Sequence, residues 1–281
     1  MKKLTLITMI LSVLAIANAQ VDEDYNPYSF EVKKASQEQI RIQGRQEFLA
    51  KKCEPEQLQK WKDFYDTTKI VQYLYTINQY CNCPEVIDYA INLINTSPDK
   101  EARKIAILML SYRRYYNAIP LLLSHVKKEI TPDEKIEIAM ALASLDRKEE
   151  ALEILDCNCY TIDEMHHDCV YTYITFFDKP TAMKYFEHCF NKPEMQLQAA
   201  CWLAMCGIYD KTFPLFVEFL ENNTTYERET VYSFCGLAAI GSEEAIEIIK
   251  KYVKYDETVH GRLISGTAAS ILKDLKGRRG K

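Results

Sequence analysis

Cysteine and histidine are the residue types in this sequence best suited to metal binding or redox chemistry, and they cluster in one stretch. Residues 156–169, DCNCYTIDEMHHDC, hold three cysteines and two histidines. Thiolate sulfur and imidazole nitrogen are good ligands for zinc. One hypothesis is therefore a metal site formed by this stretch and a nearby histidine: Cys157, Cys159, His166, His167, Cys169 and His188.

Disulfide bonds are the alternative role for these cysteines. The spacing in the stretch matches no recognised zinc pattern, and the chain has no Cys-x-x-Cys motif of the thiol redox type. The choice depends on the compartment, because oxidised cysteines persist in exported proteins and are rare in cytosolic ones.

The first nineteen residues have the pattern of a secretory signal peptide. A basic start at Lys2 and Lys3 precedes an apolar run over residues 4–15, which is too short to span a bilayer stably. Ala17-Asn18-Ala19 then gives the small-x-small pattern that signal peptidase recognises. We expect cleavage before Gln20 and a periplasmic or extracellular protein. An uncleaved anchor is the alternative, and the polar stretch that follows disfavours it.

The charge balance bears on the kind of partner. After removal of residues 1–19 the chain carries 33 basic and 40 acidic residues, a net charge of −7. A negative protein does not favour a polyanion, so no nucleic-acid partner is expected. No other segment is apolar enough to predict a membrane span.

An internal repeat of 31 to 33 residues organises most of the chain. Six amphipathic segments align on one anchor residue each: Val86, Ala118, Ala151, Ala182, Phe213 and Ala245. From each anchor, apolar residues recur at offsets 0, +1, +3, +4 and usually +7, which is the stripe of an amphipathic helix. The period predicts a stack of equivalent units.

Each of these helices follows another one, so the repeat is a helix pair. EARKIAILMLSYRR, DEKIEIAMALASL, MQLQAACWLAMCG and RETVYSFCGLAAIG precede four of the anchors. Thr131-Pro132-Asp133-Glu134 has the pattern of a capping box, and Ser97-Pro98-Asp99 offers Ser97 as an N-cap. VYTYITFF, residues 170–177, would also suit a strand, but the register on both sides favours a helix.

FCGLAAIGSEEAIEIIKKYV resembles the HEAT-like helical repeats, and LQAACWLAMCGIYDKTFPLFVEFL and RKIAILMLSYRRYYNAIPLLLSHV match them more loosely. MALASLDRKEEALEIL equally resembles a tetratricopeptide repeat, so individual units stay open between the two families. The resemblance covers about residues 66–254. It implies an all-α, right-handed α–α solenoid of about six helix pairs with helical caps, which binds other molecules and carries no catalytic residues.

The predicted organisation has five segments. They are a signal peptide (1–19), a flexible leader (20–36), an N-terminal helical cap (37–65), HEAT-like repeats (66–256), and a C-terminal cap helix with a basic tail (257–281).

In solenoids of the HEAT type the second helix of each pair lines the concave face. Positions +2, +5 and +6 from the anchors point away from the core stripe and predict a binding surface of mixed charge: Asp88, Asn92, Glu153, Lys184, Glu187, His188, Glu218, Glu247, Lys250 and Lys251. Such a surface suits a protein or peptide partner. An ordinary solvated face is the alternative.

Position within the repeat also predicts disulfides between neighbouring units. Cysteines at matching levels suggest that Cys157 or Cys159 pairs with Cys189 and that Cys169 pairs with Cys201. Cys206 and Cys235 differ by about one turn and form a third candidate pair, and Cys53 could reach Cys81 or Cys83. Buried free thiols are the alternative.

No catalytic motif is present: there is no Gly-x-Ser-x-Gly, no His-Glu-x-x-His and no Gly-rich phosphate loop. We therefore expect a non-enzymatic, exported binding or scaffold protein without a cofactor. The alternative is an exported metal-dependent enzyme or metal-binding protein that uses the cysteine and histidine cluster.

Overall fold

A computed structural model describes residues 26–50, 53–158, 167–223, 225–254 and 258–279, without the side chains of residues 157, 158, 167 and 277–279. These residues form fifteen α-helices and two short 3₁₀-helices, with no strand among them, so the all-α prediction is confirmed. The α-helices are α1 (Phe30–Leu49), α2 (Pro55–Thr68), α3 (Gln72–Tyr80), α4 (Glu85–Thr96), α5 (Lys100–Tyr112), α6 (Ile119–His125), α7 (Pro132–Ser144), α8 (Lys148–Asn158), α9 (His167–Phe176), α10 (Lys179–Phe190), α11 (Gln196–Met205), α12 (Phe213–Asn222), α13 (Arg228–Ile240), α14 (Glu243–Lys251) and α15 (Val259–Arg279).

The chain divides into two compact units. One comprises residues 33–199, and the other comprises residues 1–32 and 200–281. In the first unit, α4 packs on α5, α7 on α8 and α9 on α10, while α3, α5, α7 and α9 contact one another in sequence. In the second unit, α13 packs on α12, α14 and α15. None of the described helices is long and apolar enough to cross a membrane.

The predicted apolar stripes of the helices are buried in the hydrophobic core. Five of the six repeat anchors are at most 1% exposed: Val86, Ala118, Ala151, Ala182 and Ala245. Phe213 is only half-buried, because the preceding Thr212 takes the buried position at this helix start and donates its hydroxyl hydrogen to the Ile208 carbonyl at 2.6 Å. Residues 170–176 of the ambiguous stretch lie in α9 and are helical as predicted, and Phe177 directly follows the helix.

Four of the first helices are followed within two residues by a residue with a positive φ angle. Gly207 (φ 92°) and Gly241 (φ 65°) follow α11 and α13, whereas Arg114 (φ 48°) and Asp146 (φ 63°) follow α5 and α7. The left-handed conformation is the usual end of a helix, and glycine adopts it without the steric cost of a Cβ atom. Arginine and aspartate therefore occupy positions where glycine would be favoured.

Helix starts follow the predicted capping chemistry with one difference. Thr131 caps α7, because its hydroxyl oxygen accepts a hydrogen bond from the Glu134 amide. At α5 the N-cap is Asp99, whose carboxylate accepts from the Glu101 amide, and not Ser97. Ser97 instead ends α4, since the short connection leaves it on the preceding helix.

The segment before α1 differs from the predicted flexible leader. Residues 20–25 lie outside the described part, but α1 already begins at Phe30, and both Tyr28 and Phe30 are buried. The Asn26 side-chain amide donates to the Ala238 and Ala239 carbonyls at 3.0 and 2.6 Å. Residues 30–36 therefore lie in α1, and Asn26 is hydrogen-bonded to the last turn of α13.

Candidate binding sites

The predicted second-helix surface consists mainly of exposed side chains. Nine of its ten residues are exposed and His188 is half-buried. The unit of residues 33–199 contains six of them, on α4, α8 and α10: Asp88, Asn92, Glu153, Lys184, Glu187 and His188. The other unit contains four, on α12 and α14: Glu218, Glu247, Lys250 and Lys251. Glu247 forms an ion pair with Lys250. These positions can offer polar contacts to a partner.

One predicted cysteine pairing is present. Cys53, just before α2, is bonded to Cys81 at the end of α3, with their Cα atoms 4.6 Å apart. Cys83 keeps a free thiol. Arg113 holds the same junction, because its guanidinium donates to the carbonyl of Cys81 and to Oδ1 of Asn78. Burial lowers the pKa of Arg113 to about 10. The bond therefore closes the α2–α3 hairpin.

Three predicted pairings are wrong in the structure. Cys189 is a buried free thiol, and Cys201, Cys206 and Cys235 also carry thiols. Cys169 is disulfide-bonded, so Cys201 is not its partner. Burial raises the pKa of the Cys189 thiol to about 11, which makes it a poor nucleophile at neutral pH. Matching levels along neighbouring helices did not suffice, because a disulfide also requires both Cβ atoms to face the same crossing.

The proposed metal cluster falls largely outside the described residues. Cys159 and His166 lie in the undescribed stretch, and the side chains of Cys157 and His167 are not described either. Cys169 is disulfide-bonded, so its sulfur offers no thiolate to a metal ion. Within the described ranges, no three His, Cys, Asp or Glu side chains gather closely enough to hold a metal ion.

A buried ionic network joins α5, α6 and α7, and the sequence analysis missed it. Arg103 donates from Nε and Nη2 to the two carboxylate oxygens of Glu134 at 2.7 and 2.8 Å. Nε2 of His125 lies 2.9 Å from Oε1 of Glu134, which is completely buried. Burial opposes the ionisation of Glu134, but these hydrogen bonds prevail and lower its pKa below the ordinary value. The available signal was the separation of 31 residues between Arg103 and Glu134, one repeat length.

A cleft of about 330 Å³ lies between α1 and the ends of α5, α7 and α9; we call it the arginine cleft. Three guanidinium groups line it, from Arg41, Arg45 and Arg114, together with one carboxylate, Asp168. The Nε atoms of all three arginines are buried without a hydrogen-bond partner. Arg41 and Arg45 are four residues apart on one face of α1, which was the only sequence signal for this site.

Aromatic contacts position α1 over the cleft. Phe48 packs edge-on against Tyr112, with ring centroids 5.6 Å apart, and Arg113 stacks over the Phe48 ring at 4.8 Å. Arg41 lies over the ring of Phe176 at 5.7 Å. The Tyr112 side chain reaches the backbone of α1, since a Cβ atom at Gly44 would lie 3.2 Å from the Tyr112 hydroxyl oxygen. The aromatic anchors therefore fix two arginines of α1 against the rest of the unit.

The charges in the arginine cleft are poorly balanced. Burial is the largest cause that lowers the pKa of Arg45, and repulsion from Arg114 and Arg41 adds to it, while Tyr116 opposes it. Among the described residues, no carboxylate lies within 4.0 Å of a nitrogen of Arg41, Arg45 or Arg114. Half-buried like charges of this kind are stabilised by an anion.

Compared with known protein families, with curated proteins and with solved structures, the chain matches none of them.

Proposed function

We propose that this protein is an exported, non-enzymatic binding or scaffold protein that recognises a protein or peptide partner through the second helices of a right-handed, HEAT-like α-solenoid. The supporting observation is the sequence in which helices of the unit of residues 33–199 contact one another. Its first helices α3, α5, α7 and α9 contact in turn, while α4, α8 and α10 pack beside them. Stacked helix pairs present the same face of each second helix, and extended faces of this kind serve as binding surfaces.

Export is supported by two features. Residues 1–19 have the pattern of a signal peptide, and Cys53, Cys81 and Cys169 are oxidised. Disulfides form and persist in oxidising compartments such as the periplasm. The protein recovered from cells should begin at Gln20 in N-terminal sequencing, and an intact Met1 would contradict a cleaved signal peptide.

Charge reversal on the second helices tests partner recognition. The variant Asp88→Lys, Glu153→Lys, Glu187→Lys changes three exposed acids on α4, α8 and α10. We expect it to lose proteins that the wild-type chain retains from the native envelope fraction after chemical cross-linking, because complementary charge selects the partner.

A matched variant controls for the change in net charge. Glu56→Lys, Glu129→Lys, Glu194→Lys reverses three exposed acids outside α4, α8 and α10. It should retain the wild-type partners. Equal retention by both triple variants, or no protein retained specifically by the wild-type chain, would contradict recognition by the second helices.

A further inference from the structure

The arginine cleft has the features of a small-molecule site, and it lies apart from the second-helix surface. Its charged lining residues are Arg41, Arg45 and Arg114, against which Asp168 supplies a single carboxylate. Guanidinium groups bind carboxylates and phosphates through paired hydrogen bonds. Three guanidinium groups against one carboxylate leave an excess of about two positive charges, which matches a dianionic head group.

The rest of the lining is mainly apolar and aromatic. It comprises Leu108, Met140, Tyr112, Tyr171 and Phe176, of which Phe176 is 8% exposed. Two serines also border the cleft, but Ser111 and Ser144 donate their hydroxyl hydrogens to carbonyls of their own helices. The guanidinium groups are therefore the main hydrogen-bond donors, and a volume of about 330 Å³ is at the lower end for ligand pockets.

The backbone at Arg114 supports a role for its side chain. Arg114 has φ 48°, a conformation that Gly207 and Gly241 adopt at the corresponding turns after α11 and α13. Residues with a Cβ atom are disfavoured relative to glycine in this left-handed backbone conformation. The arginine therefore contributes a charge to the cleft at a position where it adds nothing to the stability of the turn.

We infer that the arginine cleft binds a small organic molecule that joins a doubly charged anionic head, a phosphate or a pair of carboxylates, to an apolar or aromatic body. Arg45 and Arg114 bind the anionic head of the ligand. Arg41, which is stacked on Phe176, contacts both the head and the apolar body. Because two of the three guanidinium groups belong to α1, the bound anion also ties α1 to the turn after α5.

Calorimetric titration with four probes tests the inference. Phenyl phosphate carries the head and an aromatic body, phthalate replaces the phosphate by two carboxylates, inorganic phosphate carries the head alone, and benzyl alcohol has a body without charge. We expect one molecule of phenyl phosphate or of phthalate to bind per chain, more tightly than inorganic phosphate and with weaker affinity at high salt. Benzyl alcohol should not compete. Whichever of the two dianions binds more tightly identifies the head group.

Arg114→Gly separates binding from folding. Glycine suits the left-handed backbone, so the unfolding midpoint should equal or exceed that of the wild type. Loss of the guanidinium should weaken the preferred dianion by about 10- to 100-fold. Lys69→Gly is the matched control, because Lys69 is also left-handed (φ 57°) and exposed, and it does not line the cleft. Arg41→Gln is a second variant and should weaken the same probe.

Two results would overturn the inference. One is that neither phenyl phosphate nor phthalate binds the wild-type chain. The other is that Arg114→Gly and Lys69→Gly bind the preferred probe with the same affinity. Neither result bears on the second-helix surface, so the proposed partner recognition is tested separately.

Discussion

Two buried glutamates on α7 show how strongly the environment of a side chain controls its charge. Glu134 is ionised in the folded protein, since Arg103 and His125 bond to its carboxylate. Glu137 lies one turn further along, is 4% exposed, and has a buried Oε1 atom without a hydrogen-bond partner. Burial raises the pKa of Glu137 to about 8, with a further contribution from the nearby Asp168. Two residues of one type therefore carry opposite protonation states at neutral pH.

The raised pKa of Glu137 predicts a pH dependence of stability. The folded state holds the proton up to a pH of about 8, whereas the unfolded chain releases it near its ordinary pKa of about 4.3. The contribution of Glu137 is therefore complete below pH ~4.3 and is lost as the pH rises to about 8. Glu137→Gln cannot ionise, so it should match the wild type at low pH and exceed its free energy of unfolding at high pH by on the order of 5 kcal/mol.

Urea unfolding of wild type and Glu137→Gln across this pH range provides the measurement. The difference between the two free energies of unfolding should grow steadily with pH. A difference that stays constant over the range would show that Glu137 titrates at its ordinary pKa in the folded protein.

At the scale of helices, α12 and α13 lie so close together at one point that only a glycine fits there. Gly236 on α13 faces the ring of Phe216 on α12, and Phe216 is completely buried. A Cβ atom at Gly236 would lie 2.2 Å from the Phe216 ring. The helix pair therefore depends on one residue without a side chain.

This contact predicts opposite effects for two glycine substitutions. Gly236→Ala should destabilise the protein by about 1–3 kcal/mol, because the methyl group forces Phe216 or the helix to move. Gly266→Ala, in the exposed face of α15 with no atom within 4 Å of the added Cβ, should stabilise it by about 0.5–1 kcal/mol. Thermal unfolding followed by circular dichroism compares them. A Gly236→Ala variant as stable as Gly266→Ala would rule out the close contact.

At the scale of the whole molecule, the last helix covers apolar surface of its own unit. α15 packs on α13 and α14 and buries Ile264, Ala268 and Leu275. Without it, apolar surface on α13 and α14 would face water, at about 25 cal/mol per Å² of newly exposed area.

Truncation tests this role of α15. A chain that ends at Lys254 should unfold at a lower temperature, bind a hydrophobic dye, and associate in size-exclusion chromatography, because the covered faces become exposed. A chain that ends at Lys276 removes part of the basic tail and keeps the buried residues, so it should behave as the full-length protein does. A monomeric Lys254 chain with an unchanged unfolding temperature would contradict the covering role.

The local features of this protein were determined by the sequence alone. Helix positions, the 31-to-33-residue spacing, the burial of anchors such as Ala182 and the cap at Thr131 depend on residues within a few turns of one another. The apolar period and the capping side chains act at that range. For the same reason, the Cys53–Cys81 bond, across one hairpin, was among the predicted alternatives.

Tertiary structure alone decided which side chains meet across distant helices. The position of α1 against Tyr112 and Phe176, and with it the arginine cleft, depends on aromatic contacts between residues more than sixty positions apart. The wrong cysteine pairings and the shift at Phe213 have a related cause. A repeat pattern fixes the level of a residue along its helix, but the rotation of each helix about its axis is set by how neighbouring side chains pack.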